Sequence, residues 1–191
     1  MHILLTRPLE DCSDMILRFK ELGHRVSHLP LLLIESIKHD PIEFDDYKAI
    51  IFTSANAIKF LDTKKIDKKI FCFCVGSATE KKAKSVGFQN IFVADGNVAN
   101  LKELIFQNFE TSQGKIVYVS GELLSSNLDQ TLINHGYQIK RIVNYKTIHN
   151  EKFDERFVEE LKLDIPDITY IYSQNSASSF LSFIKKNQLE S

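Results

Sequence analysis

Apolar residues in this chain gather in short runs, and most runs are followed by a stretch with helical spacing. His2–Leu5 is the first run, stopped by Thr6-Arg7-Pro8. From Leu9 to Leu22 the apolar residues, among them Met15, Leu17, Phe19 and Leu22, predict a helix. Gly23 follows where a helix end accepts a left-handed residue. Arg25–Leu29 reads as a second strand closed by Pro30, so the chain opens as β-α-β. Leu31–Ile37 is again apolar and extended, then His39-Asp40-Pro41 breaks it, and this segment reads as a crossing into another domain.

From Tyr47 to about Val143 the alternation is regular. Strands are expected at 49–53, 70–75, 91–94, 115–119 and 138–143, and helices at 55–61, 78–86, 98–109 and 126–135, with Gly87 and Gly136 closing two of them. Near-continuous apolar strands alternating with helices predict an α/β fold with a parallel sheet covered on both faces. Five such strands resemble the flavodoxin-like arrangement, whose ligands lie beyond the carboxyl ends of the strands. Ile142–Asn150 reads as a return crossing, followed by a helix at Phe153–Leu163, a strand at Ile168–Tyr172 and a helix at Ser176–Lys186. The first domain is therefore discontinuous, residues 1–35 plus 150–191, and encloses a second domain of residues 36–149.

The carboxyl ends of the expected strands carry small polar or glycine pairs: Thr53-Ser54, Gly76-Ser77, Gly96-Asn97 and Ser120-Gly121. Parallel connections put all four on one sheet edge, giving a neutral rim of hydroxyl and amide donors that suits an anion. Taken singly, each pair reads first as a plain helix cap, and Ser77-Ala78-Thr79-Glu80 fits a capping box; four in one sheet weaken that reading. The stretch AIIFTSANAIKF has a weaker copy in TYIYSQNSASSF, which sets Thr53 beside Ser173 and Asn56 beside Ser176. Two related half-sites suggest two lobes around one ligand.

Composition narrows the chemistry. With 43% hydrophobic and 26% charged residues the chain is an ordinary globular one, and a net charge of −1 provides no field for nucleic acid or membrane. Any anion must be held by local geometry. Three cysteines make no disulfide framework; Cys72 and Cys74 share one strand face and read as packing. Six histidines show no ligand spacing, so no metal is expected. No phosphate loop, GxGxxG or GxSxG occurs. No run approaches the ~20 apolar residues that span a bilayer, which with the lack of a signal-like start makes a cytoplasmic location the expectation. Arg7, at the end of the first strand, can fork onto a carboxylate or pair with Glu10. Tyr145 is an aromatic hydroxyl close to a domain crossing, and a core or edge tyrosine would look the same.

With these residues in view the chain resembles uroporphyrinogen-III synthase. The resemblance rests on LLTRP, FTSANAI, VGSATEKKAKSVGF, Gly96-Asn97, the helix ending at Gly136, VNYKT and YSQNSASSF, in that order from residue 1 to about 185. It implies two flavodoxin-like (HemD-like) parallel-sheet lobes joined by a two-stranded β linker, the first discontinuous and here incomplete, since family members usually continue with further elements of that lobe. The implied reaction is that of a hydro-lyase without cofactor or metal. Hydroxymethylbilane loses its terminal hydroxyl as water, the resulting azafulvene cation is attacked by the substituted carbon of the last ring, and the spiro intermediate fragments and recloses to uroporphyrinogen III. By the same resemblance Tyr145 matches the tyrosine that assists departure of the hydroxyl. Thr79 and Ser173 match hydroxyls facing the cleft, and Thr53, Ser54, Ala55, Asn56, Ser77 and Ala78 match turns that touch substrate largely through backbone. Arg7, Ser120 and Gly121 complete the expected binding set. The implied partner is the small-molecule substrate, with room for transient contact with hydroxymethylbilane synthase, and the implied state is a monomer. Two other readings stand beside this one: a two-lobed binding protein for an anionic small molecule, and an inactive fragment of the synthase.

Overall fold

A computed structural model describes residues 1–189. The opening residues form strand β1 (His2–Leu5), helix α1 (Leu9–Glu21) and strand β2 (Arg25–His28), and β3 (Leu32–Ser36) follows. Then come β4 (Tyr47–Phe52), α2 (Ala55–Lys59), β5 (Phe71–Val75), α3 (Gly76–Ser85), β6 (Ile91–Ala94), α4 (Val98–Asn108), β7 (Lys115–Gly121), α5 (Leu128–Asn134) and β8 (Ile139–His149). The chain closes with α6 (Glu155–Leu163), β9 (Ile168–Tyr170) and α7 (Gln174–Asn187). It divides into two units, Met1–Leu33 with Thr147–Ser191, and Ile34–Lys146.

In the first unit β1 lies between β2 and β9, parallel to both. The pleat of β1 sends alternate side chains to opposite faces. Leu4 packs with Val158 and Leu161 of α6 and Phe183 of α7, while Ile3 and Leu5 pack with Cys12, Met15 and Phe19 of α1.

The second unit carries the sheet β3-β8-β7-β4-β5-β6, parallel from β8 through β6. Ile50 and Phe52 face a core with Ala57 and Ile58 of α2 and Ala83 of α3, and Ile51 faces Leu101, Ile105, Leu128 and Leu132 of α4 and α5. Helices on both faces explain why Ala49–Phe52 is apolar without interruption. Cys72 and Cys74 lie on one face of β5, buried, with sulfurs 3.8 Å apart. Their mutual hydrogen bond, then burial, raises the Cys72 thiol above its ordinary pKa.

The strand order corrects one expectation. With β4 as the first strand of this unit the order is 3-2-1-4-5, the Rossmann order, not the flavodoxin-like 2-1-3-4-5. The reason is α4, which carries the chain from the edge strand β6 back past β5 and β4 to β7. A second correction concerns the expected strand and separate crossing between residues 138 and 150: Ile139–His149 is one long strand.

Candidate functional site

In the second unit the chain steps one way from β4 through β5 to β6, and the other way from β7 to β8. Loops leaving the two strands at such a reversal part company, and the carboxyl ends of β4 and β7 become the natural ligand position. The residues at that edge are Thr53-Ser54 after β4 and Ser120-Gly121 at the end of β7, with Asn144-Tyr145 beside them on β8.

The Thr53 and Tyr118 hydroxyls are 3.2 Å apart and so bridge the reversal. Tyr118 is 2% exposed, and burial raises its phenol above the ordinary pKa; the bond with Thr53 and the Arg141 charge pull the other way. Ser54 accepts a hydrogen bond from the Asn56 amide (3.2 Å) and caps α2. That helix is a single turn, too short to stand alone. It is held by burial of Ala57 and Ile58 and by the Asn144 side-chain amide, which donates to the Ala57 carbonyl (2.7 Å). Asn144 is fully buried, and its Oδ1 has no hydrogen-bond partner among the described residues. Turning the amide over would set that oxygen against the Ala57 carbonyl, so one end of the amide must go unsatisfied.

Ser120 is buried at 1% exposure. Its hydroxyl donates to the Gly121 carbonyl (3.1 Å) and accepts from Arg141 Nε (2.9 Å). Arg141 Nη2 donates to the Gly121 and Glu122 carbonyls, at 2.8 and 2.9 Å. Tyr145 is half-buried, and its carbonyl accepts from the Glu122 amide (2.9 Å).

At the β5 edge the expected capping box is absent. Gly76 takes a left-handed φ of 76°, so α3 starts directly after Val75 without a side-chain cap, and Ser77 lies inside its first turn. Ser77 and Ala78 are exposed there, whereas Thr79 is 3% exposed. At β6 Asn97 caps α4 by accepting from the Asn100 amide (3.0 Å). Thus Ser54 and Asn97 are ordinary helix caps, while Ser120-Gly121 caps no helix at all, since α5 begins only at Leu128.

Arg7 and Ser173 belong to the other unit, at the ends of β1 and β9. The Arg7 guanidinium lies over the Tyr172 ring, 4.4 Å from its centroid. Burial raises the Tyr172 phenol and Arg7 lowers it. Ser173 caps α7 in a reciprocal box: it accepts from the Ser176 amide (3.2 Å), and Ser176 Oγ accepts from the Ser173 amide (2.9 Å). The sequence alignment of the two half-sites is therefore one residue out of step at the cap, because Ser54, not Thr53, does for α2 what Ser173 does for α7.

Sequence reasoning missed Tyr118, Arg141 and Asn144. The available signal was polarity out of place: a guanidinium inside the strand expected at 138–143 and a carboxamide directly after it. A cavity of about 590 Å³ in this unit is lined by Tyr47, Lys48, Ile70 and Phe71, at the opposite, amino end of the strands. No cluster of His, Cys, Asp or Glu among the described residues could hold a metal ion, and no described helix is long and apolar enough to cross a membrane.

The fold has known counterparts. A uroporphyrinogen-III synthetase from Helicobacter pylori 26695 superposes with a TM-score of 0.64 at 19% identity, covering 95% of this chain and 78% of that one. A mutant uroporphyrinogen III synthase from Thermus thermophilus gives 0.57 at 14% identity, covering 95% and 76%. At these identities the likeness establishes the architecture. The family assignment comes from the sequence itself, which matches the family model of uroporphyrinogen-III synthase HemD over residues 13–191. By that match the chain belongs to the uroporphyrinogen-III synthase family.

Proposed function

We propose that this chain closes hydroxymethylbilane into uroporphyrinogen III, with inversion of the last ring and loss of water. The family match over residues 13–191 is the observation that carries this reading. In it the family's two lobes, expected from the sequence at residues 1–35 with 150–191 and at 36–149, correspond to the two units and are linked through β3 and β8. The protein acts as a cytoplasmic monomer.

The Tyr145 phenol is proposed to donate to the terminal hydroxyl as its C–O bond breaks. The hydroxyl leaves as water, and the pyrrole nitrogen delocalises the positive charge left on carbon. The rest of the work is positional: one fold of a flexible chain must be held while the spiro carbon forms and reopens. Support for placing the chemistry here comes from the strand reversal between β4 and β7, where Thr53, Ser54, Ala55 and Asn56 offer hydroxyl and backbone donors to substrate carboxylates. Ser77 and Ala78, exposed at the neighbouring edge, Arg7 and Ser173 are proposed to extend the binding set. Thr79, a buried residue of α3, is proposed to serve by holding that helix in place.

Product isomers test the reading. Hydroxymethylbilane closes unaided to isomer I, so an excess of isomer III on adding the purified chain is the expected result. Isomer I alone, from a folded chain, would replace this reading with that of an anion-binding protein or an inactive fragment of the synthase.

A further inference from the structure

Tyr145 sits at an irregularity of the sheet. The ladder between β7 and β8 runs in step from Ile116↔Ile139 to Ser120↔Val143, then slips so that Gly121 faces Tyr145. Asn144 is the extra residue. A bulge of this kind re-aims the side chain that follows it, and here it lays the Tyr145 ring across Gly121. A Cβ at position 121 would fall 2.7 Å from Tyr145 Cζ, 2.8 Å from Cε2 and 3.0 Å from the hydroxyl oxygen. Gly121 is not in a left-handed conformation, so a larger residue there would meet the Tyr145 ring and not backbone strain, and the ring would have to shift.

The surface under the ring is itself clamped. Arg141 holds Ser120 Oγ and the carbonyls of Gly121 and Glu122 with one guanidinium, and the Glu122 amide reaches the Tyr145 carbonyl. Charge-assisted bonds from a planar fork fix three acceptors in a way that a lysine ammonium cannot. These four bonds and the missing Cβ all bear on one side chain.

We propose that Arg141, Ser120 and Gly121 form a rigid seat that positions the Tyr145 phenol, with Arg141 and Gly121 acting as positioning residues that do not touch substrate. This rests on the catalytic role given to Tyr145 above, and it moves Ser120-Gly121 from binding substrate to supporting the phenol.

The test compares Arg141→Lys and Gly121→Ala, each alone and combined with Tyr145→Phe, with hydroxymethylbilane as substrate. Each single variant should lower kcat roughly tenfold or more while KM stays within about twofold. In the Tyr145→Phe background the same changes should alter kcat less than about twofold, because the group they position is gone. Equal losses in both backgrounds would overturn the proposal. A second readout needs no turnover. In protein labelled with fluorotyrosine, the Tyr145 resonance, assigned by its loss in Tyr145→Phe, should shift or broaden in both variants while circular dichroism stays native. An unmoved resonance in both would also overturn the seat. An inactive wild-type chain would remove the synthase reading alone, and the fluorine spectrum would still decide the seat.

Discussion

In the second unit the strand leading into Thr53-Ser54 is buried from Ala49 to Phe52 and has a paired strand on either side. In the first unit the strand leading into Ser173 has three residues, pairs only with β1 among the described residues, and leaves Ile168 38% exposed. The helices that follow differ in the opposite sense. After β4, α2 has five residues and depends on its neighbours, through buried Ala57 and Ile58 and the Asn144 amide. After β9, α7 has fourteen residues and a complete capping box of its own. Similar sequences thus stabilise a strand-to-helix turn by two routes, through the sheet in one unit and through the local helix in the other. Residues at the β4 edge are consequently fixed from several directions, which suits a site that must hold reacting atoms in register.

The largest effect that can break this contrast is in the strands. Phe52→Ala should cost about 3–5 kcal/mol, the range for deleting a buried aromatic side chain, whereas Ile168→Ala should cost about 1 kcal/mol or less. Urea denaturation measures both, and similar losses would mean that β9 is as central to its core as β4.

Alkaline titration sharpens the comparison next. Burial raises Tyr118 and Tyr172 above the ordinary phenol pKa of about 10. A raised phenol contributes stability that is intact below the unfolded pKa and is lost as pH climbs through the folded one. The urea midpoint should therefore be steady below about pH 9 and fall as pH rises past about 10. Tyr118→Phe should flatten that fall more than Tyr172→Phe, because Tyr118 is the more deeply buried.

The caps give the smallest difference. Ser173→Ala should cost about 1 kcal/mol and speed hydrogen exchange in the first turn of α7, while Ser54→Ala should cost about 0.5 kcal/mol because α2 is pinned from β8. A larger loss at Ser54 would reverse the assignment of local and sheet-borne support.

Much of this architecture is legible in the amino-acid sequence. Runs such as Ala49–Phe52 and Phe71–Val75 are apolar because both faces of the sheet are covered, and they mark the strands directly. The order of those strands is not legible. Alternation of strand and helix says that the sheet is parallel, but nothing in α4 reports that it spans the sheet to reach β7. Short 3-10 turns at Phe44–Asp46, Thr63–Lys65 and Thr111–Gln113 also leave no periodic trace, being too brief for one. At the site, Thr53, Ser54 and Tyr145 announce themselves as polar residues at the ends of apolar runs. Tyr118 does not, because a tyrosine in VYVSG reads as core, and only the packed sheet shows that its hydroxyl reaches Thr53. The bulge at Asn144 disguises β8, since it breaks the alternation where the strand in fact continues. Ser77 misleads for a physical reason: left-handed Gly76 starts the helix before the residue that the capping pattern selects.

The edge formed by β4, β7 and β8 is the proposed seat of the chemistry. Single-turnover kinetics of Tyr145→Phe on freshly generated hydroxymethylbilane, with isomers I and III separated, tests it most directly. The rate of isomer III formation should fall by roughly tenfold or more with little change in substrate affinity, as expected when a proton donor to the leaving group is lost. An unchanged rate in that variant would contradict that placement.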